Sequence, residues 1–144
     1  MPDSNAILQD RRPVIVSGPS GVGKGTLIQR LFEAYPNVFA ITVSHKTRPP
    51  RPGEAEGVDY YVSPEEFNSL ISEDTMVEHA MFSGHHYGTS KQTVADQERK
   101  GRVVVLDIEM HGVQQIKANR ILEARCVFVK PPSLKESEGA WEAA

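Results

Sequence analysis

The sequence predicts one α/β domain organised around a parallel sheet, on three grounds. Residues 13–17 (PVIVS) and 102–107 (RVVVLD) are almost continuously apolar and β-branched, the pattern of strands buried on both faces of a parallel sheet. Segments of helical periodicity alternate with them, and that order lays helices over such a sheet. A length of 144 residues, 39% of them hydrophobic and 24% charged, suits one compact core and is short for two.

The elements follow in order. The strand at 13–17 runs straight into a glycine-rich loop. From residue 24 to 35, Leu27, Ile28, Leu31 and Phe32 recur at helical spacing until Pro36 stops the pattern. Residues 39–44 alternate as a strand, whereas 45–58 are rich in Pro, Gly, Arg and Glu without periodicity and are expected to form an ordered loop. Ser63-Pro64-Glu65-Glu66 joins an N-cap, a proline at the first helical position and early acids, opening a helix to about Ser72. Residues 76–82 read as another strand. Ser90 is placed to cap a helix over 91–100 that Gly101 closes. A helix near 113–117 leads to residues 124–129, which repeat the buried-strand pattern and contain Cys126, expected to be an inert core residue. The last twelve residues, SLKESEGAWEAA, hold only Leu134 and Trp141 as large apolar side chains and show no periodic face.

Charge and composition narrow the function. Nineteen acidic against sixteen basic residues give a net charge of −3, which argues against non-specific nucleic-acid binding, so an anion site must be local. No run of roughly 18 apolar residues offers a membrane span. A single cysteine cannot form an intramolecular disulfide, and the first twelve residues lack the apolar core of a secretory signal, so the cytoplasm is the expected compartment. His45, His79, His85, His86 and His111 lack metal-ligand spacing, and no histidine metal site is expected.

The local anion site is Gly18-Pro19-Ser20-Gly21-Val22-Gly23-Lys24, which fits the GxxxxGK core of a P-loop and lies between a buried strand and a helix. Its glycines let backbone N–H groups turn inward around phosphate oxygens, Lys24 adds a cation, and the helix N-terminus adds partial positive charge. The residue after the lysine, Ser or Thr in the full pattern, is Gly25, with Thr26 one place later; the direct Mg²⁺ ligand stays open. Asp107, ending an apolar strand, is either a carboxylate beside Mg²⁺ or an N-cap for the next helix. The segment 44–61 (SHKTRPPRPGEAEGVDYY) sets Arg48 and Arg51 three apart on a loop stiffened by Pro49, Pro50 and Pro52. Two guanidinium forks there suit a phosphate monoester. The alternative is a solvated basic loop balanced by Glu54, Glu56 and Asp59.

Five motifs, SGPSGxGKxT, VSxxTRxPRPGExxGxDYY, MVEHAxFSGxxYGTS, VVLDIxxxGVxxIK and FVxPPS, occur in that order over residues 12–133. Together they resemble the guanylate kinase family. The resemblance implies a P-loop NTPase three-layer core with a parallel sheet, from residues 13–43 and about 90–132, and an inserted small α+β GMP-binding subdomain over about 44–89. An N-terminal extension (1–12) and an atypical tail (133–144) flank it. It further implies ATP at Gly18, Pro19, Ser20, Gly21, Val22, Gly23, Lys24, Gly25 and Thr26, and the phosphate of GMP at Arg48 and Arg51 with Tyr60 and Tyr87. Glu54 joins the GMP site, and Ser44, Glu78, Thr89 and Glu109 would contact guanine. Carboxylates only accept hydrogen bonds, and guanine presents N1–H and N2–H₂ donors on one edge. Glu109 stands where many relatives carry Asp.

The implied reaction is ATP plus GMP to ADP plus GDP, with Lys24, Arg48 and Asp107 as catalytic groups, Mg²⁺ near Thr26 and Asp107, and no nucleic-acid or membrane partner. Gly-Lys-Gly-Thr also resembles adenylate-type nucleoside monophosphate kinases, which implies that Thr26 orients phosphate or metal-bound waters. Family members continue past PPS into an arginine-rich lid helix, further helices and a last strand. SLKESEGAWEAA stands there instead, with no arginine after Arg125. The expectation is a chain without lid or last strand that binds GMP and phosphorylates it poorly. A non-catalytic guanylate-kinase-like binding module, a monophosphate kinase of other base specificity, and the oligomeric state stay open.

Overall fold

The structure is a computed structural model and describes residues 10–19, 21–54 and 60–131. The expectations for Ser20, Glu56, Asp59 and the tail from 133 to 144 lie outside the described residues. In chain order the elements are β1 (Val14–Ser17), α1 (Lys24–Ala34), β2 (Phe39–Ile41), β3 (Ser44–Lys46), β4 (Tyr60–Tyr61) and α2 (Pro64–Ser72). They continue with β5 (Met76–Phe82), β6 (His85–Ser90), α3 (Lys91–Arg99), β7 (Val103–Asp107), α4 (Met110–Asn119) and β8 (Arg125–Phe128).

Two sheets result. The first is parallel, in the order β2-β7-β1-β8, with Val14 opposite Val105 on one side and Arg125 on the other. Its core follows from strand alternation. Val104 and Leu106 point with Ile15 to one face, against Val94 of α3 and Val113 and Ile116 of α4. Val105 and Val16 point to the other, against Ile28 of α1. Helices therefore cover both faces, and β7 has no exposed apolar surface from Val103 to Leu106. Each such buried side chain contributes about 1.5–3 kcal/mol relative to exposure.

The second sheet, in the order β4-β3-β6-β5, is mixed: β3 and β4 are parallel, while β6 is antiparallel to both β3 and β5. β5 and β6 join through Ser83 and Gly84, both at positive φ (50° and 78°), a two-residue turn whose twist matches the hairpin. Phe67 of α2 is fully buried and its ring stacks on that of His86 at 5.0 Å. Ser63 and Ser90 cap their helices as expected, accepting from the N–H groups of Glu66 (3.1 Å) and Thr93 (3.2 Å).

Two expectations are corrected, for residues 39–44 and 124–129, and one strand was not expected. The alternating run 39–44 is two strands in two sheets: β2 ends at Ile41, the Thr42 N–H still reaches the Val105 carbonyl, and the chain crosses to β3 at Ser44. The strand at 85–90 gave no sequence signal, because polar His, Tyr, Thr and Ser carry it between β3 and β5. β8 is not a buried strand. It is the outer strand of the described sheet, with Val127 45% and Phe128 54% exposed, and Cys126 is exposed as well. An apolar strand is buried on both faces only where other elements cover it. No helix among the described residues is long and apolar enough to cross a membrane.

Candidate active site

The P-loop forms at the carboxyl end of β1. Gly18, Gly21 and Gly23 have φ of 153°, 76° and 102°. Gly23 is the N-cap of α1 in a left-handed conformation that side chains disfavour. Unlike α2 and α3, α1 has no side-chain cap, and its first turn holds no acid, so its leading N–H groups face the loop without an internal carboxylate. Lys24 Nζ lies 3.3 Å from Asp107 Oδ1 at the end of the neighbouring β7. Asp107 does not cap α4. Glu109 holds the N-cap position and makes no capping bond with its side chain. Thr26 lies in the first turn of α1 and is exposed.

Beside this loop a cavity of about 250 Å³ opens between the two sheets. Ser44 and Lys46 reach it from alternate positions of β3, Glu78 from β5, Tyr87 from β6, and Asp107 and Glu109 from the end of β7. Ala80, Met81 and Phe82 supply its apolar wall. Glu78 is buried, and the Thr89 hydroxyl donates to its Oε1 at 3.0 Å. Residues 10–142 match the family model described as guanylate kinase. The chain belongs to the guanylate kinase family.

Curated guanylate kinases match over most of the chain. That of Schizosaccharomyces pombe is 46% identical over 88% of this chain and 63% of its own length. That of Thermosynechococcus vestitus is 44% identical over 94% and 70%, and that of Homo sapiens 48% identical over 85% and 62%. The crystal structure of guanylate kinase from Anaplasma phagocytophilum superposes with a TM-score of 0.65 at 30% identity, covering 90% of this chain and 66% of that one. The chain thus spans about two thirds of the length of these guanylate kinases.

A second cluster of the guanylate kinase domain surrounds Arg48, which is 8% exposed. Its Nη1 and Nη2 donate to the two carboxylate oxygens of Glu54 at 2.8 and 2.9 Å, and Nη1 also donates to the Pro49 carbonyl. Glu54 Oε1 accepts the Arg51 N–H at 2.8 Å as well. The Arg48 side chain and the Arg51 N–H, helped by the Tyr61 hydroxyl, hold the Glu54 carboxyl down to about 2. Glu54 in turn raises the Arg48 pKa. In the cavity the order of effects reverses. Burial pushes Glu78 above the usual carboxylate range, the Thr89 hydroxyl opposes this, and the negative charge of Glu109 adds to it.

Of the residues singled out from the sequence, the structure brings Ser44, Glu78, Tyr87, Asp107 and Glu109 to one cavity, with Thr89 behind Glu78. It does not bring Tyr60 there. Tyr60 pairs in register with His45, their rings 4.8 Å apart, on the face of the small sheet opposite Ser44 and Lys46. Tyr61, the next residue, is the one that faces the Arg48–Glu54 pair. Sequence reasoning passed over Lys46 and Tyr61. Strand alternation from Ser44 and from Tyr60 was the signal that could have found them.

Proposed function

We propose that the chain binds ATP and GMP and transfers the γ-phosphoryl group of ATP to GMP, yielding ADP and GDP. The observation that carries this reading is the double placement of Asp107, which pairs with the P-loop Lys24 and also lines the cavity of Glu78 and Glu109. A donor phosphate on the loop and an acceptor in the cavity would meet at that carboxylate. Residues 13–43 and about 90–132 then form the ATP half, and about 44–89 the GMP half.

Lys24 and the N-terminal amides of α1 hold the β and γ phosphates of ATP, and Arg48, Arg51 and Tyr87 hold the phosphate of GMP. Ser44, Glu78, Thr89 and Glu109 read the guanine edge. Phosphoryl transfer needs little covalent help from protein, so positioning and charge neutralisation supply the acceleration. A phosphate monoester loses its second proton near pH 6, and its oxygen attacks without a strong base. Mg²⁺ fits as an ion that arrives with the nucleotide. Asp107 and Thr26 are hard oxygen donors, and no group of three or more His, Cys, Asp and Glu among the described residues would hold a metal alone. Asp107 and Thr26 would hold it, and its charge would neutralise the transferring phosphates.

A non-catalytic binding module is the less favoured alternative, because the Lys24–Asp107 pair is intact and the matched relatives are named as kinases. The cytoplasm is the proposed compartment, on the lone cysteine and the two substrates. Calorimetry with ATP, GMP and AMP, together with coupled detection of ADP, tests these statements. GMP-dependent ADP release with GMP bound at least tenfold more tightly than AMP is the expected result. Absence of both GMP binding and ADP release would overturn the proposal, and GMP binding without ATP binding would favour the module.

A further inference from the structure

The carboxylate of Glu78 is held between two backbone elements. On one side the Thr89 hydroxyl of β6 donates to Oε1. On the other stands Gly112, buried in the first turn of α4. A Cβ at residue 112 would lie 3.0 Å from Glu78 Oε2 and 3.4 Å from its Cδ and Cγ. That is tighter than ordinary van der Waals contact, and the neighbour would have to yield.

Nothing in the backbone asks for glycine here. Gly112 is absent from the residues at positive φ, and it lies inside a regular helix, where glycine is destabilising relative to alanine. A helix that gives up stability at one position has a reason in what that position faces. The faced group is the carboxylate that shares a cavity with Glu109 and Ser44.

We infer that Gly112 is a specificity-positioning residue for the acceptor base: its bare Cα sets how far the Glu78 carboxylate retracts from the cavity, and so the space and alignment offered to a guanine edge. The inference rests on the reading of the cavity as the guanine site. A methyl group at 112 pushes on Oε2 and moves the Glu78 carboxylate by a few tenths of an ångström, into the cavity or so that Oε1 leaves the Thr89 hydroxyl. Hydrogen-bond recognition is lost steeply over such displacements.

The test measures GMP affinity by calorimetry, and thermal unfolding, on the full chain. Gly112→Ala is expected to bind GMP about tenfold more weakly while unfolding at the same or a higher temperature, since the helix gains a better former. In a Glu78→Ala background the carboxylate is gone, and Gly112→Ala should leave the residual GMP affinity unchanged. Wild-type chain that fails to bind GMP would overturn the guanine-site reading itself. Wild-type chain that binds GMP, with Gly112→Ala binding equally well or weakening binding by the same factor in the Glu78→Ala background, would overturn the role of Gly112 alone.

Discussion

Both terminal nitrogens of Arg48 are hydrogen-bonded to Glu54, one to each carboxylate oxygen, at 2.8 and 2.9 Å. The same carboxylate takes the Arg51 N–H, so one side chain fixes a guanidinium and closes the turn that carries the second arginine. A forked pair of this kind defines orientation as well as charge. Glu54→Gln removes one of the paired acceptors and the charge, and is expected to weaken GMP binding about fivefold to twentyfold by loosening Arg48. Its acid limb should also change. The folded-state pKa of Glu54 lies below its ordinary value of 4.5, at about 2. Its contribution to stability is therefore present above about pH 4.5 and lost as pH falls toward 2. Melting temperatures of wild type and Glu54→Gln should differ above that window and converge below it.

Glu78 has the opposite sign. Burial raises its pKa, so the folded chain holds this proton more tightly than the unfolded one, and stability falls as pH rises through the range between the two pKa values. Glu78→Gln should then melt at a higher temperature than wild type at pH 7, and the gain should vanish below about pH 4, where the carboxyl is neutral in both states. The same substitution places an amide donor opposite guanine donors and should cost GMP affinity about tenfold to a hundredfold. A gain in melting temperature together with a loss of GMP binding marks a group kept for recognition at the expense of stability.

At the donor end, Lys24→Met removes the cation that pairs with Asp107 at 3.3 Å. Coupled ADP detection should show turnover reduced by about 10²-fold or more, as expected for loss of a phosphate-stabilising donor. GMP titration should show affinity within about twofold of wild type, since Lys24 lies outside the residues that line the cavity.

Two apolar strands of similar composition should respond very differently to truncation. Leu106→Ala in β7 empties a fully buried position and should cost about 2–5 kcal/mol in urea denaturation. Phe128→Ala in β8 removes a ring that is 54% exposed and should change stability by about 0.5 kcal/mol or less.

That contrast also explains what the sequence made legible. β1, α1, β7 and the caps at Ser63 and Ser90 follow from local rules of periodicity, proline placement and side-chain capping, and the structure has them. The motifs likewise brought Ser44, Glu78, Tyr87, Asp107 and Glu109 to one place. The exposure of β8 was illegible, because a short run of apolar residues serves a covered strand, β7, and an uncovered one alike. β6 was illegible because its hydrogen bonds to β3 and β5, not its own composition, make it a strand. Tyr60 was assigned by motif position, yet its partner across the sheet is His45, a pairing that depends on register between segments distant in sequence.

The crossing between the two sheets leaves only Thr42 and Val43 between Ile41 and Ser44. Neither residue belongs to a strand, so the facing of β3 is set by its ladder with β6, where Ser44 lies opposite Thr89 and Lys46 opposite Tyr87. A slip of one residue in that pairing would present His45 to the cavity and turn Ser44 and Lys46 away, without changing a single residue type in the site. Backbone hydrogen bonds between β3 and β6, which carry no functional side chain of their own, are therefore a determinant of the chemistry the cavity can offer.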